Sequence, residues 1–161
     1  MRILGIDPGS RIAGFGCIEP GEKQTSAFKI VDAGVIKLSA TASFTERLGT
    51  LYQTIDELIE ELQPDVFSIE KAFTFINPSS ALKLGEIRGA CIACALKHKL
   101  PIGELAPKTV KMLITGNGNA SKEQVCVIIQ KILRFEKGAL PYDVTDALAI
   151  ALSQGLQQGL R

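Results

Sequence analysis

Arg2-Ile-Leu-Gly-Ile-Asp7-Pro-Gly-Ser10 is the stretch on which the fold of this chain turns. Ile3, Leu4 and Ile6 flank Gly5 in a short apolar run of the length of a buried strand. The run stops on Asp7, and Pro8-Gly9 then turn the chain. A carboxylate closing a buried strand loses hydration, which is costly unless something positive sits beside it. A strand that ends this way points to a functional site.

Outward from that strand, residues 12–18 read as a second strand, with Gly14 and Gly16 where backbones approach closely. Residues 24–38 give a third strand around Phe28, Ile30, Val31, Val35 and Ile36, so the first three strands form an antiparallel meander. A helix follows over 43–62, with Leu48, Leu51, Ile55, Leu58, Ile59 and Leu62 on one stripe. Ser43 and Glu46 make a capping box at its start. After Pro64, residues 65–69 form a fourth strand, and it too finishes on a carboxylate, Glu70. Ser79 or Ser80 starts a helix reaching His98, and residues 100–105 are a fifth strand. Pro107 opens a short helix through Ile114. Ser121, with Gln124, caps the next, and Pro141 introduces a last helix carrying Asp143 and Asp146. The order β-β-β-α-β-α-β-α-α-α is a mixed α/β sheet with helices on its faces, one unit over residues 1–161.

The 161 residues, 46% hydrophobic, suffice to bury a core. No apolar run reaches the roughly 18 residues of a membrane span, and no secretion signal opens the chain. Cys17, Cys91, Cys94 and Cys126 are irregularly spaced, as free thiols of a cytoplasmic protein are. The net charge of +1 conceals a segregation. Residues 1–70 carry 6 basic and 11 acidic side chains, whereas residues 71–122 carry 8 basic and 2 acidic. A basic middle third fits a polyanion partner and, equally, a solvated lysine face.

A helical crossover places the first and fourth strands parallel and adjacent, so Asp7 and Glu70 emerge at one edge. Asp143 and Asp146 are three apart and share a helix face. Their place in the first turn also suits the helix dipole, which is reason enough for acids there. If that helix packs beside the two strands, four carboxylates converge. Like charges about 4 Å apart repel by about 4 kcal/mol at an effective dielectric of about 20, so the cluster needs cations. Carboxylates without His or Cys select a hard ion, Mg²⁺ with Mn²⁺ as a substitute. Two such ions about 3.5–4 Å apart serve phosphodiester hydrolysis, one activating water and the other stabilising the leaving oxygen.

Four motifs, in order and spanning essentially the whole chain, resemble those of RuvC-type Holliday-junction resolvases. They are Gly5-Ile-Asp7-Pro-Gly-Ser-Arg-Ile-Ala-Gly14-Phe-Gly16, Ser68-Ile-Glu70-Lys-Ala-Phe73, the stretch from Asn77-Pro-Ser-Ser-Ala81 to Arg88-Gly89, and Asp143-Val-Thr-Asp146-Ala-Leu-Ala149. The resemblance implies an RNase H-like fold, a five-stranded mixed sheet with helices on both faces. It implies a homodimer that makes paired, Mg²⁺-dependent nicks in a four-way DNA junction during recombination and repair, and partnership with the RuvA–RuvB branch-migration complex. Carried over by position, Asp7, Glu70, Asp143 and Asp146 are the catalytic metal ligands, with two ions per site. Phe73 matches an aromatic that stacks on a base, a contact worth about 1–3 kcal/mol. Lys111 and Lys122 match lysines beside the scissile phosphate. The linker between Phe135 and Tyr142 departs most from the family pattern.

Lys108 and Arg11 are further candidates for phosphate contacts, with plain surface solvation the equal alternative. Phe75 stays open between core and DNA. The helix over 81–96 is apolar round most of its circumference and rich in small residues, which suits one side on the sheet and the other on a partner subunit. Cys91 and Cys94 form a lone C-x-x-C in mid-helix and read as buried packing, since zinc needs two more ligands nearby. His98, between Lys97 and Lys99, reads as exposed. Two other readings remain: an actin- or sugar-kinase-like nucleotide-binding module, whose first phosphate loop shares the G-I-D-x-G turn but which needs two such domains, and a junction-binding protein without catalysis.

Overall fold

The computed structural model describes residues 1–21, 27–71, 77–136 and 140–159. The opening run forms β1 (Ile3–Asp7), paired antiparallel with β2 (Ile12–Pro20), which pairs antiparallel with β3 (Phe28–Lys37). Residues 24–26, expected in the third strand, lie outside the described residues. The chain then crosses over through α1 (Phe44–Leu62) to β4 (Val66–Glu70), parallel to β1. A second crossover, α2 (Pro78–Lys97), leads to β5 (Ile102–Leu105), parallel to β4. Strand order is β3-β2-β1-β4-β5. This is the five-stranded mixed sheet of the RNase H-like expectation.

Helix boundaries follow local chemistry. Ser43 accepts from the Glu46 N–H while the Glu46 carboxylate accepts from the Ser43 N–H, and Gln63 turns left-handed before Pro64. Ser121 and Gln124 repeat the capping box at the start of α4 (Lys122–Leu133). Helix α2 differs from expectation. Its cap is Asn77, whose side chain accepts from the Ser79 N–H, and Pro78 takes the first helical position, where its missing N–H costs nothing. The helix therefore starts a residue or two before the serines.

The sheet separates two cores. On one face α1 and α2 pack Leu51, Ile55, Ile87, Cys91 and Cys94 against Leu4, Ile6, Phe67 and Ile69. On the other, α3 (Pro107–Thr115), α4 and α5 (Tyr142–Gln157) pack on Ile3, Ile18, Val66 and Leu105. Helix α5 lies directly on β1 and β2. A Cβ at Gly5 would sit 2.3 Å from the Ala147 carbonyl oxygen, so only glycine lets the helix this close. Among the described residues, no helix is long and apolar enough to cross a membrane.

Candidate active site

Alternation along two strands aims the first two carboxylates. Ile3 faces the α5 core and Leu4 and Ile6 the α1–α2 core, so Asp7 falls on the α5 side. Val66 against Phe67 and Ile69 repeats the pattern on β4, and Glu70 falls on the same side. Ile6 is registered with Ile69, so the two acids stand at neighbouring ends of parallel strands. Helix α5 brings Asp146 to the same place from above. Asp7, Glu70, Lys111, Lys122 and Asp146 line one cavity of about 270 Å³, with Val110 and Val125 on its apolar wall.

Electrostatics reflect that crowding. Burial first, then the Asp146 and Glu70 charges, push the Asp7 carboxyl up to about 7 from 3.8. Glu70 is raised by burial and by Asp146, against the opposing pull of Lys122, Lys111 and Arg88. Lys122 Nζ donates to Asp146 Oδ2 at 2.7 Å, and its own pKa rises with that bond. Among the described residues no salt bridge reaches Asp7 or Glu70. The cavity thus holds two ammonium groups against three carboxylates, and its candidate metal donors are all oxygen. That donor set suits a hard divalent cation and not zinc.

The other sequence candidates sit at different distances from this centre. Asp143, in the first turn of α5, does not line the cavity, although its charge also raises Asp7. Its carbonyl presses on β2, where a Cβ at Gly14 would fall 1.9 Å from it. Lys108 and Arg11 are exposed and outside the cavity lining. Phe73 and Phe75 lie outside the described residues.

Sequence reasoning passed over Arg88, although it lies in the third quoted motif. Its Nε donates to the Glu70 carbonyl at 2.8 Å and its guanidinium pairs with Glu104, tying α2 to the ends of β4 and β5. The expectation for His98 is corrected: its side chain is 19% exposed, and Nε2 lies 2.5 Å from Asp56 Oδ1. The lysines on either side gave no hint of a partner 42 residues away.

Comparison with known proteins is consistent along the chain. The family model for crossover junction endodeoxyribonuclease RuvC matches residues 3–154. The crossover junction endodeoxyribonuclease RuvC of Pelodictyon phaeoclathratiforme is 42% identical over 161 residues, all of this chain and 83% of that protein. Its counterpart from Dichelobacter nodosus is 45% identical over 94% of this chain and 84% of its own length. Among solved structures, T. thermophilus RuvC in complex with Holliday junction substrate superposes with a TM-score of 0.90 at 28% identity, covering 98% of this chain and 94% of that one. The yeast mitochondrial Holliday junction resolvase Ydc2 shares the fold, with a TM-score of 0.70 at 20% identity over 98% of this chain and 80% of its own.

Proposed function

The chain belongs to the RuvC family of crossover junction endodeoxyribonucleases, and from that membership we propose that it resolves four-way DNA junctions by paired symmetric nicks in recombination and repair. The observation that carries this reading is the meeting of Asp7, Glu70 and Asp146, from three separate elements, in one cavity rimmed by Lys111 and Lys122. Residues 1–161 act as a single nuclease domain.

Asp7, Glu70 and Asp146 would hold Mg²⁺, with Asp143 beside them. Two ions per site would match the four carboxylates, and Mn²⁺ would serve in their place. Bound there, the metal supplies a Lewis acid and a water acidic enough to attack a phosphodiester in line, leaving a 5′-phosphate and a 3′-hydroxyl. The chain's own groups do the rest. Asp7, whose carboxyl feels the charges of Asp146, Glu70 and Asp143, would be shared between the ions, with Glu70 and Asp146 each holding one. Lys111 and Lys122 offer positive charge to the phosphate oxygens, where charge accumulates during displacement. Lys122 is 67% exposed, so its stem has room to turn from Asp146 to a phosphate. Val110 and Val125 keep one wall dry and so strengthen these interactions. Lys108 and Arg11 extend the basic surface to flanking phosphates, and Phe73 stacks on a base opened at the junction.

Two nicks related by symmetry need two related sites, hence a homodimer. Helix α2 supports that reading. Leu82 and Leu96 are 69% and 57% exposed, and Gly85, Gly89 and Ala93 continue the exposed stripe between them. The four cysteines are free, as in a reducing cytoplasm, where RuvA–RuvB would deliver the junction.

Incubation with a synthetic four-way junction tests the reading. Cleavage with Mg²⁺, none with EDTA, and none by Asp7→Asn despite retained junction binding are the expected results. Robust cleavage by Asp7→Asn would overturn the assignment.

A further inference from the structure

On the sheet face away from the catalytic acids, α1 and α2 bring together three side chains of a different chemistry. Cys94 in the last turn of α2 and His98, the residue that caps that helix, are four apart, and Asp56 faces them from α1. Cys94 Sγ, His98 Nε2 and an Asp56 carboxylate oxygen all lie within 4.8 Å of one another. Asp56 Oδ1 is 3.8 Å from Cys94 Sγ and 2.5 Å from His98 Nε2. Cys91, the other cysteine of the C-x-x-C, is not part of this group.

The geometry points to a zinc site formed by Asp56, Cys94 and His98, with water as the fourth ligand. Zinc takes sulfur at about 2.3 Å and nitrogen or oxygen at about 2.0–2.2 Å, so its ligand atoms stand about 3.3–3.7 Å apart in a tetrahedron. The Asp56–Cys94 separation is close to that, and the Asp56–His98 pair has to open by about 1 Å. Charge balances as well. One thiolate, one carboxylate and a neutral imidazole cancel Zn²⁺, leaving a neutral cluster in a half-buried place.

Two groups hold the position in the meantime. Lys97 Nζ lies 2.9 and 2.8 Å from the Asp56 oxygens, and its side chain is 54% exposed, so it can withdraw into water. The Cys94 thiol is directed at the Tyr52 carbonyl and at Asp56. Burial pushes that thiol up to about 11, so it is protonated until a metal replaces the proton. Binding therefore exchanges one thiol proton, released to solvent, for one Zn–S bond. The proton that His98 Nε2 directs at Asp56 passes through solvent to Nδ1, freeing Nε2 for the metal, and Lys97 leaves Asp56 for solvent. Oxidation states do not change. The result is a staple between α1 and the C-terminal end of α2, the helix whose outer stripe is exposed.

Cobalt titration of the full-length, reduced and metal-stripped protein tests this. A thiolate-to-cobalt charge-transfer band should grow to saturation at one equivalent, and Zn²⁺ should abolish it with release of the cobalt. Cobalt on the catalytic carboxylates gives no sulfur band, so Asp7→Asn should keep it; this separates the site from the nuclease reading. Cys94→Ser and His98→Gln should each lose the band, and zinc should raise the melting temperature of the parent but of neither variant. Circular dichroism establishes that each variant is folded, and His98→Gln leaves the buried thiol in place should Cys94→Ser not fold. Absence of a sulfur band at stoichiometric cobalt overturns the proposal. So does a band that survives both substitutions and disappears in Cys126→Ser, the half-buried thiol elsewhere on α4.

Discussion

Burial and the facing carboxylates of Asp146 and Glu70 hold Asp7 at a pKa of about 7, against 3.8 for an ordinary aspartate. Because the folded value lies above the unfolded one, ionising Asp7 works against the metal-free fold. The penalty is absent below pH 4, grows as pH rises through the interval between the two values, and is complete above 7. Asp7→Asn removes it. In EDTA the variant should therefore be more stable than the parent at pH 8, by up to about 4 kcal/mol, and no more stable at pH 4. Thermal melts at the two pH values measure this, and a variant less stable at pH 8 would contradict it. The same substitution is expected to stop cleavage, so one residue sets stability against activity. Lys122 makes a related exchange. Its ammonium occupies Asp146 and competes with any cation there. Lys122→Ala should bind Mg²⁺ more tightly by calorimetry, by up to about fivefold for an exposed pair, yet cleave junctions more slowly.

Elements position these residues, and they do so with different tolerances. Ser43→Ala removes one half of the α1 capping box and should cost about 1 kcal/mol in chemical denaturation with cleavage unchanged, since α1 lies across the sheet from the acids. Gly5→Ala is a different matter. The new methyl meets the Ala147 carbonyl and lifts α5 from β1, so a cost of about 1–3 kcal/mol should be joined by a fall in kcat as Asp146 shifts relative to Asp7. Much of this arrangement was legible in the sequence, because the signals are local. An apolar run that stops on a carboxylate marks both Asp7 and Glu70, and S-x-x-E or S-x-x-Q marks two helix starts. What stayed hidden depends on pairing across long separations. The Lys122–Asp146 bond spans 24 residues, the Arg88 grip on the Glu70 carbonyl spans 18, and His98 meets Asp56 across 42. Asn77 was passed over for a simpler reason: two serines followed it, and Pro78 at the first helical position decided the matter.

At the scale of the whole molecule, the sheet divides its duties. The α3–α5 face carries the acids and the cavity lysines Lys111 and Lys122, while the α1–α2 face carries none of them and exposes an apolar stripe on α2. Small residues at Gly85, Gly89 and Ala93 allow two copies of that helix to approach closely, and Leu82 and Leu96 at its two ends supply apolar area. A two-fold axis through this stripe would leave both cavities open to one DNA molecule. Leu96→Asp places a charge in that contact, where burial without a partner is strongly unfavourable. The 57% exposure of Leu96 means that the isolated subunit barely notices the change. Sedimentation should show the variant as a monomer at concentrations where the parent is a dimer, with an unaltered melting profile in dilute solution. On a four-way junction in a covalently closed plasmid, the parent should release linear products from two nicks within one binding event. The variant should accumulate singly nicked circles and convert them only on rebinding, because each subunit still holds its own carboxylates. A Leu96→Asp protein that still sediments as a dimer would place the partner contact on some other face.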